Sequence, residues 1–182
     1  MKHALVVGGT GMLRKVCLWL EKQDYRVTVV GRSTEKMGQL LKEASNPTQF
    51  TPLFVDYRNI GELRKQVAET IEKNGPIELV VAWIHSHAKE TLSTIYEVVN
   101  ESCGKWELFH VLGSSANLAE IKREIPIKED CSYQQIQLGF VIEKECSRWL
   151  THDEISDGVV KSIQEKVPKL TIGQIGPWEK RP

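Results

Sequence analysis

Two kinds of apolar run alternate along the chain. Residues 3–8 (HALVVG), 26–31 (RVTVVG), 50–56 (FTPLFVD), 77–84 (IELVVAWI) and 106–112 (WELFHVL) are short and apolar at most positions. Strands buried on both faces of a sheet read this way. Between them lie longer segments whose apolar residues recur every three or four positions. They are Met12, Val16, Leu18, Trp19 and Leu20 in 11–23, and Met37, Leu40, Leu41 and Ala44 in 34–44. Leu63, Val67, Thr70 and Ile71 follow in 60–73, then Leu92, Ile95, Val98 and Val99 in 89–103. This spacing predicts four helices. Ser33 and Asn59 stand at N-cap positions, and Asn46-Pro47 and Asn74-Gly75-Pro76 are stop signals.

The last third carries a different rhythm. Ile136, Leu138, Phe140 and Ile142 alternate with other residues, which predicts a sixth strand over 134–142. Only a short helix fits between 116 and 131. Ile155, Val159 and Ile163 predict a helix over 153–166, and 169–175 (KLTIGQI) a seventh strand. Such alternation predicts an α/β fold: one domain over 1–182, with a doubly wound parallel sheet of about seven strands and helices on both faces.

Composition narrows the partners. The 24 basic and 24 acidic residues cancel, which removes the electrostatic case for nucleic acid or an anionic membrane. No apolar run approaches the ~18 residues of a membrane span, and the opening MKHALVVGGTG is too short in apolar residues for a signal peptide. The four cysteines, at 17, 103, 131 and 146, form no CxxC pair and read as reduced thiols of a cytoplasmic protein.

The chemistry starts at Gly8-Gly9-Thr10-Gly11-Met12-Leu13-Arg14, between the first strand and first helix. Gly8 permits a tight turn, and Gly11 lets backbone approach a pyrophosphate facing the N–H groups of the helix start. Gly8, Thr10, Gly11, Met12 and Leu13 are therefore expected to hold a dinucleotide. The third glycine of the usual fingerprint is replaced by Arg14, which can lie along the phosphates or block them. About 20 residues past Gly11, where NAD-binding chains place a carboxylate, stand Gly31, Arg32 and Ser33. A guanidinium and a hydroxyl suit a 2′-phosphate, so NADP is expected over NAD. Asp56 and Tyr57 end the third strand, either flanking the adenine or simply opening the next turn. Trp83, ending the fourth, is expected to line the cofactor cleft. His85 and His87 follow in a loop beside the switch point, within reach of a substrate. They lack the third ligand of a metal site.

Taken together, GGTGML after the first strand, GRS after the second, VD after the third and Ser114-Ser115 after the fifth resemble the short-chain dehydrogenase/reductase superfamily, in its atypical branch. The resemblance covers residues 3–115 closely and the rest loosely. It implies a seven-stranded Rossmann sheet binding NAD(P), oxidoreductase activity on a small-molecule carbonyl or alcohol, and a homo-oligomer face on the helix at 89–103. It puts Ser115 at the family's catalytic serine and Tyr133 at the tyrosine of Tyr-x-x-x-Lys, with Gln137 in place of the lysine. A neutral amide cannot lower the phenol's pKa, and the strand period at 134–142 does not bring the two side chains together as a helix turn would. Two readings follow. One is an NADP-dependent oxidoreductase in which Ser115 polarises the substrate oxygen and Tyr133, His85 or a water carries the proton. The alternative is a non-catalytic NADP(H)-binding regulator or sensor.

Overall fold

Leu5 and Val7 bury against one layer of helices, and Ala4 and Val6 against the other; all four are fully buried. Both-sided burial of one strand requires a covered sheet. The computed structural model describes residues 1–144 and 146–182. Its strands are β1 (Lys2–Val7), β2 (Tyr25–Gly31), β3 (Phe50–Phe54), β4 (Leu79–Trp83), β5 (Trp106–Leu112), β6 (Cys131–Leu138), β7 (Phe140–Glu143), β8 (Cys146–Trp149) and β9 (Lys169–Ile172). The helices are α1 (Arg14–Lys22), α2 (Thr34–Glu43), α3 (Ile60–Asn74), α4 (Lys89–Ser102), α5 (Leu118–Glu124) and α6 (His152–Glu165).

Seven strands form one sheet in the order β3-β2-β1-β4-β5-β6-β9, every neighbouring pair parallel. This is the doubly wound Rossmann arrangement, with the direction of winding reversing between β1 and β4. Helices α1, α2 and α6 cover one face through Val16, Leu20, Leu40 and Val159. Helices α3 and α4 cover the other through Leu63, Val67, Ile95 and Val99. Each such side chain stabilises the fold by roughly 1.5–3 kcal/mol through burial.

Four helices begin on a side-chain cap: Ser33 for α2, Asn59 for α3, Asn117 for α5 and Thr151, in a capping box with Glu154, for α6. Helices α1 and α4 have no side-chain cap. Both start at the C-terminal ends of strands β1 and β4, the two that flank the switch point.

The opposite end of the sheet is closed by a buried polar chain. His3 Nδ1–H donates to the Gly75 carbonyl (2.8 Å), so Nε2 accepts from the Thr28 hydroxyl (2.8 Å). Thr28 Oγ1 then accepts from Thr70 (3.1 Å), and Thr70 Oγ1 from the Asn74 amide (3.0 Å). Burial pushes the His3 pKa down, keeping the ring neutral.

Two departures from the sequence pattern occur in the last third. The alternating run at 134–142 is broken at Gly139 into β6 and β7. A Cβ at Gly139 would collide with the Gln174 carbonyl, and that close approach lets Phe140 and Gln174 exchange two backbone hydrogen bonds of 2.8 Å. Strand β7 then turns back onto β8 as an antiparallel hairpin. The seventh strand of the sheet ends at Ile172, because Gly173 adopts φ +74° and turns the chain. Trp149 and Trp178 are exposed and sandwich the Arg181 guanidinium, at 5.2 and 4.6 Å from their ring centres.

Candidate functional site

The glycine turn is built by three different constraints. Gly8 sits at φ +90°, a left-handed conformation that L side chains rarely adopt. At Gly9 a Cβ would lie 2.5 Å from Cys17 Sγ and 2.9 Å from Val29 Cγ1, so this glycine allows α1 to press on β2. That is the role of the fingerprint's missing third glycine, supplied five positions earlier. At Gly11 a Cβ would meet only the Gly8 carbonyl at 3.7 Å, so its outer side is open. The turn's internal bonds run from Gly11 N and Leu13 N to Gly8 O and from Arg14 N to Gly11 O. They leave the Thr10 and Met12 N–H groups with no acceptor among the described residues. With α1 uncapped, this cradle suits an anion. Thr10 packs against Gly31, Leu13 is fully buried, and the Met12 carbonyl accepts from Ser156 on α6 (2.7 Å), which pins the turn. Arg14 points away and pairs with Glu43 at 2.8 Å, so it leaves the turn clear.

At the end of β2, Arg32 is exposed beside Ser33, whose hydroxyl caps α2 by accepting from Lys36 N. Arg32 Nη1 lies 3.3 Å from Asp56 Oδ2. Asp56 is held chiefly by Arg58, whose Nη2 approaches Oδ2 at 2.6 Å and whose backbone N–H donates to Oδ1 at 3.0 Å. These bonds hold the Asp56 carboxyl well below the usual carboxylate range, with the Arg32 charge adding to the effect. Asp56 opens the turn into α3, and the Tyr57 carbonyl accepts from the buried Thr91 of α4 (3.0 Å).

The Trp83 indole spans the switch point. Its Cβ lies 3.2 Å from where a Gly8 Cβ would stand, and its Cη2 lies 4.0 Å from a Cβ at Gly113. Its outer edge meets His85 (ring centres 6.0 Å apart), and His85 stacks on His87 at 5.5 Å. Beyond Trp83 lies a cavity of about 480 Å³ between the ends of β4 and β5 and helices α4 and α5. Trp83, His85 and Ser115 all line it. The loop carrying Ser115 is held from below by Gln137, whose Nε2 donates to the carbonyls of Ser114 (3.2 Å) and Ala116 (3.1 Å).

Tyr133 requires a correction. It lies on β6 opposite Leu108, four residues short of the end of β5, and it does not line the cavity. Its hydroxyl is engaged by His110 Nδ1 at 2.9 Å, and burial pushes the phenol up to about 12. The cause is local: β6 has a strand period, so Tyr133 and Gln137 point along the sheet face instead of stacking on a helix. A phenol so placed is no proton donor to a substrate beside Ser115.

Four contributing residues were missed by sequence reasoning. His110 lines the cavity from β5; its signal was a polar residue within WELFHVL, facing the polar positions of the next strand. Arg58 depended on the fold of the turn after β3. Lys89 and Glu124 meet at 3.2 Å from α4 and α5, a pair 35 positions apart that only packing reveals.

A family model described as short chain dehydrogenase matches residues 2–96. No curated protein sequence matches the chain significantly. Solved structures show the same fold at low identity. A short-chain dehydrogenase/reductase of glucose/ribitol dehydrogenase type from Brucella melitensis superposes with TM-score 0.73 at 11% identity, covering 97% of each chain. The apo glucose dehydrogenase of Caenorhabditis elegans gives TM-score 0.78 at 13% identity over 94% of this chain and 95% of that one. An actinorhodin polyketide ketoreductase variant crystallised with NADPH gives 0.70 at 16% identity, again over 94% and 95%.

Proposed function

Since the chain belongs to the short chain dehydrogenase family, we propose that it is an NADP-dependent oxidoreductase acting on a small carbonyl or alcohol. The observation that carries this reading is the open glycine cradle beside the uncapped α1, with a cavity bearing Ser115 and His85 on the far side of Trp83. The backbone N–H groups of Thr10 and Met12, with Gly8, Gly11 and Leu13 shaping the turn, hold the pyrophosphate. Arg32 and Ser33 take the 2′-phosphate, and Asp56 and Tyr57 border the adenine. The nicotinamide, when bound, supplies or accepts the hydride.

The protein's own residues do the rest. Ser115 donates a hydrogen bond that polarises the substrate oxygen, and Gln137 keeps its loop in register. His85, directly or through a water, moves the proton to or from that oxygen. Trp83, whose indole runs from Gly8 toward Gly113, lines the path by which the nicotinamide would reach the cavity.

NADPH consumption across a panel of aldehydes and ketones tests the reading. Turnover that falls at least 100-fold in Ser115→Ala, with NADPH affinity preserved, is the expected result. Tight NADPH binding with no turnover on any carbonyl would overturn it in favour of a cofactor-binding regulator.

A further inference from the structure

Strand β5 is apolar toward α1 and α6, where Phe109 and Val111 are fully buried. On its other face, between Leu108 and Leu112, stands His110, only 6% exposed. A polar group so placed costs free energy unless it is hydrogen-bonded. One ring nitrogen is satisfied, since Nδ1 lies 2.9 Å from the Tyr133 hydroxyl. Nε2 makes no hydrogen bond among the described residues, and the ring forms part of the cavity wall. Burial lowers the His110 pKa to about 4, so the ring is neutral at pH 7 and carries one N–H. Tyr133 keeps its proton, and of the two groups the phenol is the stronger donor and the bare imidazole nitrogen the stronger acceptor. The phenol therefore gives its hydrogen bond to Nδ1, which leaves the imidazole proton on Nε2.

The rest of the wall says what that N–H meets. Ile84, Leu92, Leu112, Ile121 and Ile125 make most of it apolar. Its fixed charges are Lys89, Glu90 and Glu124, a net of one negative charge, and Lys89 is paired with Glu124. This set leaves no unpaired cation among the described lining residues to hold an anionic ligand. The cavity, about 480 Å³, is the size of ordinary small-molecule sites. It lies between the seven-residue α5 and helix α4, against the ends of β4 and β5.

We propose that this cavity takes an uncharged, mainly apolar ligand and anchors one of its acceptor oxygens on the Nε2–H of His110. Tyr133 is the positioning residue that sets the imidazole tautomer. This inference rests on the oxidoreductase reading only in calling the ligand a substrate; the anchoring itself requires no turnover.

The test uses 4-phenyl-2-butanone and n-butylbenzene, which share a carbon skeleton and differ by the carbonyl. Binding is measured without cofactor on the full chain labelled with ¹⁵N-histidine. In the free protein His110 should show a protonated Nε2 and an unprotonated Nδ1, and the ketone should shift the Nε2 resonance. His110→Leu should weaken the ketone at least tenfold and leave the hydrocarbon unchanged or tighter. Should that variant not fold, Tyr133→Phe should weaken the ketone severalfold at constant hydrocarbon affinity. A proton on Nδ1, no saturable ketone binding, or parallel changes for both probes would overturn the proposal. Anchored ketone binding with no NADPH consumption on any carbonyl of the panel would leave it standing and remove the oxidoreductase reading instead.

Discussion

The two faces of the sheet are finished differently at β5 and β6. On the face covered by α1, α2 and α6, the inward residues are the apolar Phe109, Val111, Ile136 and Leu138, with buried Gln134 beside Phe109 bonded to Ser132 of its own strand. On the face of α4 and α5, the same strands present His110, Tyr133, Gln135 and Gln137. The first face is closed by a 14-residue α6. On the second, α5 has seven residues and a cavity takes the remaining space. The difference teaches where chemistry is affordable in this fold. Along β5 and β6, polar side chains gather on the face where a short helix leaves them loop carbonyls or a ligand to bond.

The largest effect should come from the closed face. Phe109→Ala should lower unfolding free energy by about 3–5 kcal/mol in urea titrations, as expected for a cavity cut into packed core. Leu112→Ala, whose side chain already borders the open cavity, should fall near the low end of the ~2–5 kcal/mol range. Equal losses would mean that the two faces are packed alike.

The second effect is acid sensitivity of the open face. His110 titrates near 4 in the folded chain and near 6.5 when unfolded. Below pH 6.5 the unfolded chain binds a proton that the native one refuses. Stability is therefore complete above that pH and declines as pH falls toward 4, by about 3 kcal/mol in total. His3, also depressed by burial, adds in the same direction from the opposite end of the sheet. Urea midpoints between pH 7 and 4.5 should show this slope, and His110→Leu should flatten it. A slope untouched by that substitution would assign the acid loss to His3 and the carboxylates.

The glycine half of the molecule offers the third contrast. Arg32→Glu should weaken NADPH by about 10–100-fold, since charged hydrogen bonds are worth ~1.5–3 kcal/mol, and change NADH far less. Equal weakening would point to the Asp56 contact of Arg32, not to a phosphate. The smallest effect is expected at Gln137. Its replacement by Leu leaves the Ser114 and Ala116 carbonyls without their amide donor and should cost about 1–2 kcal/mol. It should also reduce kcat more than it alters NADPH affinity.

How much of this was legible in the sequence divides along the same line. The strands through β5, their helices and the caps Ser33 and Asn59 follow from local periodicity and turn chemistry, which act within a few residues. The glycine turn was legible for the same reason. Gly9's packing role was not, because it depends on Cys17 and Val29 meeting across two elements. Arg14 read as a phosphate ligand or a block, but Glu43, 29 residues away, claims it. The alternation at 134–142 identified a strand yet hid its break, since Gly139 is needed only because Gln174 passes beside it. Tyr133 and Gln137 sit at family positions in spacing alone; on a strand the same spacing points them at His110 and at a loop. Most of these misses involve a partner distant in sequence, where pattern carries no signal; Arg58, two residues from Asp56, is the exception.

Tryptophan fluorescence during an NADPH titration is the most direct measurement, because Trp83 lies between Gly8 and Gly113 at the switch point. Saturable quenching by NADPH, stronger than by NADH and lost in Trp83→Phe while equilibrium dialysis still shows binding, is the predicted result. No saturable response by either method would contradict a dinucleotide on the glycine cradle and, with it, the assignment of this chain as an NADP-dependent oxidoreductase.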